Sequence, residues 1–284
     1  MAGNFVVSAW VLGGNNALFP NAVAIPPFML AATRAAIVLV FMFPFLKLKK
    51  PQRWLRLLLV CACVGPIHLG LLYTGLMTAP ASGSSVVSQM MIPFATILSV
   101  IFLRERIGAT RIIGIVGAFI GTIIMIYEPG ALSLDTGLLY VLAAFFTLAV
   151  GSVLMKTVGD VDWQQYVAWM AAMVLPVMAA ASALFESNHN QVWTFSLVPL
   201  LIAATYAAVC ASIVAHGQYF NLIKRYDVSV VVPLTLMIPV FASILGVLFL
   251  KETIFPRYYV GAAFILPCVF LIAKRSKSVP AQGR

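Results

Sequence analysis

The chain has 284 residues, of which 62% are hydrophobic and 9% are charged, and its mean hydropathy is +1.03. A soluble protein cannot bury that much apolar surface, so the composition excludes the soluble classes and predicts an all-α polytopic membrane protein. The formal net charge of +10 need not indicate a nucleic-acid partner. Membrane proteins carry an excess of Lys and Arg in their cytoplasmic loops, and the basic residues of this chain lie mostly in the predicted loops.

About 20 apolar residues cross the hydrocarbon core of a bilayer as a helix. Windows of that size predict ten transmembrane helices with short connections. In chain order, spans 1 to 10 are 4–21, 27–46, 54–77, 81–103, 108–127, 134–156, 163–185, 197–220, 228–250 and 256–273.

Basic residues gather at alternate ends of these spans. If both termini are cytoplasmic, 15 of the 18 Lys and Arg residues lie on the cytoplasmic side, including those of the basic tail 274–284. Lys251 and Arg257 lie outside, and Arg34 lies within span 2. This positive-inside pattern predicts that both termini are cytoplasmic and that the lipid bilayer surrounds the chain.

An internal repeat divides the chain. Residues 94–105 read FATILSVIFLRE and residues 241–252 read FASILGVLFLKE, with eight of twelve positions identical. The repeat predicts two five-helix units, 1–127 and 134–273. Because five is odd, the second unit enters the membrane in the opposite sense. An inverted repeat is typical of secondary transporters, whose substrate site lies where the halves meet.

The repeat also carries a family resemblance. Five plus five spans, an Arg-Glu or Lys-Glu after spans 4 and 9, and a Pro upstream resemble the EamA branch of the drug/metabolite transporter superfamily. The run Gly13-Gly14-Asn15-Asn16 and the segment 68–93 most resemble the bacterial aromatic amino acid exporters. The resemblance implies an inverted-repeat bundle around a central cavity in the bacterial inner membrane, and export of amino acids and related metabolites.

Chemistry that would indicate an enzyme or a pump is absent from the sequence. All eight Asp and Glu residues lie at span ends or in loops, which weakens a proton-antiport mechanism based on carboxylates. No phosphate-binding loop of the Walker type and no HExxH motif occur. We therefore expect no enzyme activity, no cofactor and no metal. The four cysteines lie within spans, where packing is their expected role.

Polar and aromatic side chains within spans are candidates for substrate binding, because a polar face in lipid must turn to protein or water. Interhelical hydrogen bonds, packing of a lone histidine and an interfacial aromatic belt are the alternatives that stay open. In span 8, Thr205 falls on the same predicted helix face as Ser212, His216 and Tyr219. The candidates are Asn15, Asn16, His68, Tyr73, Ser85, Gln89, Trp163, Trp169, Ser212, His216 and Tyr219.

Other residues have predicted structural roles. We favour Arg34 as a cap for helix carbonyls at the rim of the bundle over a contact with a substrate carboxylate. Glu105 and Glu252 are expected to cap the helix that follows each of them. Pro93 and Pro239 are predicted hinges, with static kinks as the alternative.

The sequence thus predicts an exporter of amino acids that works by alternating access, with broad selectivity that favours aromatic and other bulky apolar side chains. Either the substrate gradient itself or coupling through a histidine is the expected driving force, and both alternatives stay open. The alternative is an exporter of another small metabolite or a drug. A monomer or a weak homodimer is expected, because the GxxxG motif at Gly117 and Gly121 is predicted to make a contact inside the bundle.

Overall fold

The computed structural model describes residues 2–13, 21–47, 53–104, 107–128, 133–155, 157–158, 161–215 and 235–273. Over these residues the chain is almost entirely helical. One short antiparallel ladder, Tyr127–Glu128 with Ser133–Leu134, joins the two predicted halves.

In the first half the described helices follow the predicted spans closely. Three spans contain a change of helix type: span 2 ends in a 3-10 turn (Phe43–Lys47), span 3 contains a π-helical segment (Cys63–Ile67) and span 4 contains a 3-10 turn (Ser88–Met90). The α-helices are α1 Ala2–Leu12, α2 Pro27–Met42, α3 Trp54–Ala62, α4 His68–Leu76, α5 Ala81–Val87, α6 Met91–Leu103 and α7 Ala109–Ile126.

In the second half, span 8 continues beyond its α-helix as a second π-helical segment, Tyr206–Ala215. Spans 3 and 8 are equivalent in the predicted repeat, so both predicted halves carry π-helical winding in the same span. The α-helices are α8 Thr136–Met155, α9 Trp163–Phe185, α10 His189–Phe195, α11 Leu197–Thr205, α12 Met237–Leu250 and α13 Pro256–Ala273.

Eight helices in the described part of the chain are long and apolar enough to cross a membrane, and they coincide with predicted spans 2 to 8 and 10. Spans 1 and 9 are represented by the shorter apolar helices α1 and α12. Residues 14–20 of span 1 and 228–234 of span 9 lie outside the described ranges. Large apolar side chains such as Leu184 and Phe185 are more than three-quarters exposed on the bundle surface, as lipid-facing residues are.

Prolines mark the starts of several helices. Pro27 and Pro256 are the first residues of α2 and α13, where the missing N–H has no intrahelical partner to lose. Pro93 and Pro239 are each the third residue of their helix, α6 and α12, so they break no α-helical bond. In span 4 a 3-10 turn, Ser88–Met90, lies just before Pro93. The hinge role of both prolines stays a prediction.

Helices α6 and α12 end in the same way. Arg104 and Lys251, which occupy equivalent positions of the repeat, both adopt the left-handed conformation, with φ of 54° and 53°. This conformation is strained for a residue with a Cβ and turns the chain sharply out of the helix.

Helices from the two predicted halves pack in pairs: α2 with α9, α5 with α12, and α7 with α13. In the last pair the backbones approach closely, since a Cβ built on Gly121 would lie 2.9 Å from the carbonyl oxygen of Gly261. Gly117 faces Cys268 of α13. The predicted role of the GxxxG motif as a contact inside the bundle is therefore confirmed.

Candidate functional site

A buried arginine lies between the two predicted halves. Arg34 is the eighth residue of α2, about 10 Å along the helix axis from its start. Its side chain is 7% exposed. A cation at this depth of a membrane protein is costly unless polar groups surround it.

Two hydroxyl groups surround the guanidinium. Arg34 donates from Nη1 to the Tyr73 hydroxyl at 2.7 Å. It donates from Nε and from Nη2 to the same oxygen, Oγ of Ser212, at 3.1 and 2.8 Å. Tyr73 is fully buried, and Ser212 is 2% exposed. We call Arg34, Tyr73 and Ser212 the Arg34 cluster; it joins α2 and α4 to the π-helical segment of span 8.

The favoured interpretation of Arg34 as a cap for rim carbonyls is wrong. Its bonds within the described structure go to side-chain hydroxyls in the interior. Among the described side chains no carboxylate pairs with it: Asp135 pairs with Arg257, and Glu186 and Glu252 bind backbone N–H groups. Among the described residues, the charged guanidinium therefore has neutral oxygens as its hydrogen-bond partners and no counter-ion.

A small cavity adjoins the Arg34 cluster. Its volume is about 10 Å³, which is room for one water molecule. Apart from Arg34 and Ser212, its walls are apolar and come from α2, α4 and α9: Ala35, Val38, Leu69, Met170, Ala171 and Val174. An amino acid does not fit, so a substrate needs these helices to move apart.

The winding of span 8 determines which of its side chains reach this cavity. Ser212 is buried, whereas Thr205, seven residues earlier, is exposed. An α-helix would place both on one face, as the sequence predicted. The π-helical segment Tyr206–Ala215 carries more residues per turn, so it rotates Ser212 away from the face of Thr205. The hydroxyl of Ser212 also donates to the carbonyl of Ala207 at 2.9 Å.

His68 lies next to Leu69 of the cavity wall but contacts α8. Its Nδ1 lies 2.8 Å from the carbonyl oxygen of Ala144, which can only accept, so Nδ1 carries the proton. The ring packs edge-on against Phe145 at 5.2 Å. These contacts match the packing alternative.

Ser85 and Gln89 are buried in span 4. Ser85 donates to the carbonyl of Ser82 at 2.7 Å, and the Gln89 amide lies 3.5 Å from the carbonyl of Thr235, in the other predicted half. Within the described structure no hydrogen bond joins either residue to the Arg34 cluster. The neighbouring hydroxyl of Ser84 is buried without a described partner. Span 4 therefore presents a second polar surface between the halves.

The two candidate tryptophans lie on α9. Trp163 begins the helix and packs, half-buried, against an apolar cluster that includes Tyr166. Trp169 is also half-buried, and its indole N–H has no described hydrogen-bond partner. Trp169 is the immediate neighbour in sequence of Met170, which lines the cavity beside Arg34, whereas Trp163 is seven residues away from Met170. The remaining candidates, Asn15, Asn16, His216 and Tyr219, lie outside the described residues.

Two carboxylates bridge the predicted halves at the predicted external face, where spans 2 and 4 begin. Glu186, just after α9, accepts from the backbone N–H groups of Phe28 and Met29 at 2.7 and 3.0 Å. Glu252, just after α12, accepts from those of Ala81 and Ser82 at 2.6 and 3.1 Å. Each carboxylate thus satisfies the positive N-terminal end of a helix from the other predicted half.

The expected capping partner of Glu252 is therefore wrong. It caps α5 across the bundle and not α13, the helix that follows it. Lys251 explains the difference, because its left-handed conformation turns the chain back over α12, and the Glu252 N–H bonds to the carbonyl of Gly246 at 3.2 Å. Glu105, its counterpart in the repeat, lies outside the described residues.

The Arg34 cluster and its cavity contain the kinds of groups that would bind a polar solute with an apolar body. They combine a cation, two hydroxyls and an apolar wall. Among the described residues no group of three or more His, Cys, Asp or Glu side chains could hold a metal ion. Sequence reasoning selected Tyr73 and Ser212 but left Arg34 out of the candidate site. Its signal was present, since it is the one charged residue more than four residues from the ends of a predicted span.

Comparisons with known proteins agree with this architecture. Two segments, 4–127 and 135–274, match the EamA-like transporter family. A crystal structure of another protein superposes with a TM-score of 0.62 over 95% of this chain and 96% of that one, at 18% identity. At that identity the likeness shows the fold alone.

Two curated relatives are similar along much of the chain. A chloroplastic WAT1-related protein of Arabidopsis thaliana is 28% identical over 87% of this chain, which spans 62% of that protein's length. A probable amino-acid metabolite efflux pump of Escherichia coli is 25% identical over 68% of this chain and 67% of its own length.

Proposed function

Because this chain belongs to the EamA-like transporter family of the drug/metabolite transporter superfamily, we propose that it exports amino acids across the bacterial inner membrane. As a multi-pass membrane transporter it carries a small molecule through the lipid bilayer. Aromatic and other bulky apolar amino acids are the favoured substrates. The name of the E. coli relative, a probable amino-acid metabolite efflux pump, supports the substrate class.

The observation that carries the proposal is the Arg34 cluster. A buried cation bonded to Tyr73 and Ser212 connects the two predicted halves in the interior of an otherwise apolar bundle. Packing alone does not need a charge there, and an apolar residue would cost less. A polar solute that crosses the bundle does need polar partners at this depth.

Alternating access is the proposed mechanism, with the two halves rocking around the cluster. The paired packing of α2 with α9, α5 with α12 and α7 with α13 supports an inverted repeat of ten helices. So do the π-helical segments of spans 3 and 8 and the two separate family matches. Opening to the predicted external face then requires the bonds of Glu186 and Glu252 to break, while Pro93 and Pro239 are the proposed hinges.

Broad selectivity follows from the wall of the cavity. Leu69, Met170 and Val174 offer an apolar surface, and the unbranched Met side chain adapts to different shapes. Transport is proposed to be facilitative, since the described carboxylates lie at helix ends, where they cap helices or face solvent.

The test is flux through the purified full chain in liposomes. Labelled phenylalanine should leave loaded vesicles saturably, should be slowed by leucine and tryptophan as competitors, and should not need a pH gradient. Empty liposomes and unrelated membrane protein in liposomes are the controls. Absence of flux for phenylalanine and for every competing amino acid would contradict the proposal and favour a different metabolite or a drug as substrate.

A further inference from the structure

We propose, building on the transport function above, that Arg34 binds the carboxylate of the transported solute and that Ser212 occupies the same edge of the guanidinium while the site is empty. The ligand class is a monocarboxylate with an apolar body. Three observations support this assignment: the balance of charge, the geometry of the two bonds that Ser212 accepts from Arg34, and the bond that the serine hydroxyl donates.

Charge comes first. Arg34 is 7% exposed, and its described partners are the hydroxyls of Tyr73 and Ser212. A carboxylate carries a charge opposite to that of the guanidinium and pairs with it through two parallel hydrogen bonds, whereas a hydroxyl oxygen is neutral. A carboxylate that reached Arg34 would therefore be bound more strongly than either hydroxyl and would neutralise a charge that the described residues leave without a counter-ion.

The geometry of the bonds between Arg34 and Ser212 is the second observation. Nε and Nη2 of Arg34 form one edge of the planar guanidinium, and both donate to a single oxygen, Oγ of Ser212, at 3.1 and 2.8 Å. The two parallel N–H groups of this edge match the two oxygens of a carboxylate. One serine oxygen shares both donors, so it fills the edge without offering each N–H an acceptor of its own. Nη1, on the other side, stays with Tyr73 in either state.

The bond that the Ser212 hydroxyl donates lowers the cost of displacing Ser212 from Arg34. Its hydroxyl also donates to the carbonyl of Ala207 at 2.9 Å, within the π-helical segment. When a carboxylate takes the edge of Arg34, Ser212 keeps this bond and its hydrogen is not left without a partner. Loss of the contact between Arg34 and Ser212 also removes a link between α2 and span 8, so binding would loosen the contact between the predicted halves.

The surroundings determine which carboxylates fit. Leu69, Met170 and Val174 line the cavity beside the guanidinium and are apolar. An aliphatic or aromatic body matches this wall, whereas a second negative charge would meet no described cation there. We expect amines without a carboxylate to bind poorly and dicarboxylates to bind less well than monocarboxylates.

The experiment compares two competitors of labelled phenylalanine flux in proteoliposomes. 3-Phenylpropionate keeps the carboxylate and lacks the ammonium group; phenethylamine keeps the ammonium group and lacks the carboxylate. With the wild type, 3-phenylpropionate should compete at least about tenfold more strongly than phenethylamine. Arg34→Gln should erase this ratio, and Arg34→Lys should restore part of it, because Lys keeps the charge without the two-pronged edge.

Ser212→Ala separates a binding role from a structural one. Removal of the hydroxyl frees the edge of Arg34, so the inhibition constant of 3-phenylpropionate should fall several-fold while that of phenethylamine stays unchanged. Thr122→Val is the matched control, since Thr122 is a buried hydroxyl of α7 whose bond goes to Ala118 in its own helix. A general loss of packing would move both competitors alike.

Two results overturn the inference: equal competition by both compounds in the wild type, or a folded Arg34→Gln protein that keeps the wild-type ratio. Thermal stabilisation of the detergent-purified wild type and of Arg34→Gln by each compound gives the same comparison without flux. If no amino acid is transported but 3-phenylpropionate still stabilises the wild type and not Arg34→Gln, the proposed function fails and the inference stands.

Discussion

The interior of the bundle and its predicted external face both hold buried or half-buried charges, yet they satisfy them differently. At the external face, Glu186 and Glu252 each accept two backbone N–H groups from a helix start, at 2.6–3.1 Å. In the interior, Arg34 shares one serine oxygen between two of its donors. The outer charges have complementary partners, whereas the inner charge has no carboxylate partner among the described residues. This difference is what we expect between charges with a structural role and a charge that binds a solute.

The largest expected effect is at Arg34. Arg34→Gln should lower phenylalanine flux at least about tenfold, because a charge-assisted contact to the substrate is lost. The midpoint of thermal unfolding in detergent should stay the same or rise, since removal of a buried charge is often neutral or stabilising when its partners can relax. Flux assays and thermal unfolding on the same preparation check this, and a large drop in the midpoint would make Arg34 a structural charge.

Glu252 should respond in the opposite way. Glu252→Ala leaves the N–H groups of Ala81 and Ser82 without their acceptor, which should destabilise the protein by about 1–3 kcal/mol. The preference for 3-phenylpropionate over phenethylamine should not change. Glu252→Gln, whose amide oxygen still accepts, is the matched control and should lose less stability. A changed competitor ratio in Glu252→Ala would erase the distinction between the two regions.

A smaller effect is expected at Tyr73. Tyr73→Phe removes the hydroxyl that accepts from Nη1 of Arg34 but leaves the edge at Ser212 intact. Because this bond holds the guanidinium in place, its loss should leave the edge less well positioned and weaken substrate binding about fivefold. Measurement of the Michaelis constant for phenylalanine, with Tyr140→Phe on the exposed surface of α8 as the control, tests it. Equal effects of the two substitutions would remove Tyr73 from the site.

The smallest effect is expected at the helix ends. Lys251→Gly relieves the left-handed conformation and should stabilise the protein by up to about 1 kcal/mol, and Arg104→Gly should do the same at the equivalent position. Thermal unfolding midpoints of the two single variants and the double variant measure it. Destabilisation by Lys251→Gly would mean that the lysine side chain supports the Glu252 contact in a way that the backbone geometry does not explain.

Hydropathy predicted the helices well because each span is apolar over the thickness of a bilayer, and spans 2 to 8 and 10 appear close to their expected bounds. Tyr73 and Ser212 were selected because they are polar groups within apolar helices, and a polar side chain in a membrane must face protein or water. Their common partner was not foreseen, because a sequence does not show that α2, α4 and span 8 meet.

Two other differences have definite physical causes. The expected stripe of span 8 assumed α-helical winding throughout, and the π-helical segment moved Ser212 relative to Thr205. The capping partner of Glu252 was sought in the next helix because local capping is the common case. The sharp turn at Lys251 instead directs the carboxylate to the start of α5. Its partner there, Ala81, is 171 residues away from Glu252 in the chain. Both depend on backbone geometry that residue types alone do not specify.

The small cavity beside Arg34 also bears on the membrane's electrical insulation. Proton leakage through a protein needs a continuous file of water molecules, and this cavity has room for about one. The guanidinium beside it repels hydronium and other cations, as fixed positive charges do in water channels. In this conformation, therefore, the same side chain that we propose to attract the solute also opposes the passage of protons through this cavity.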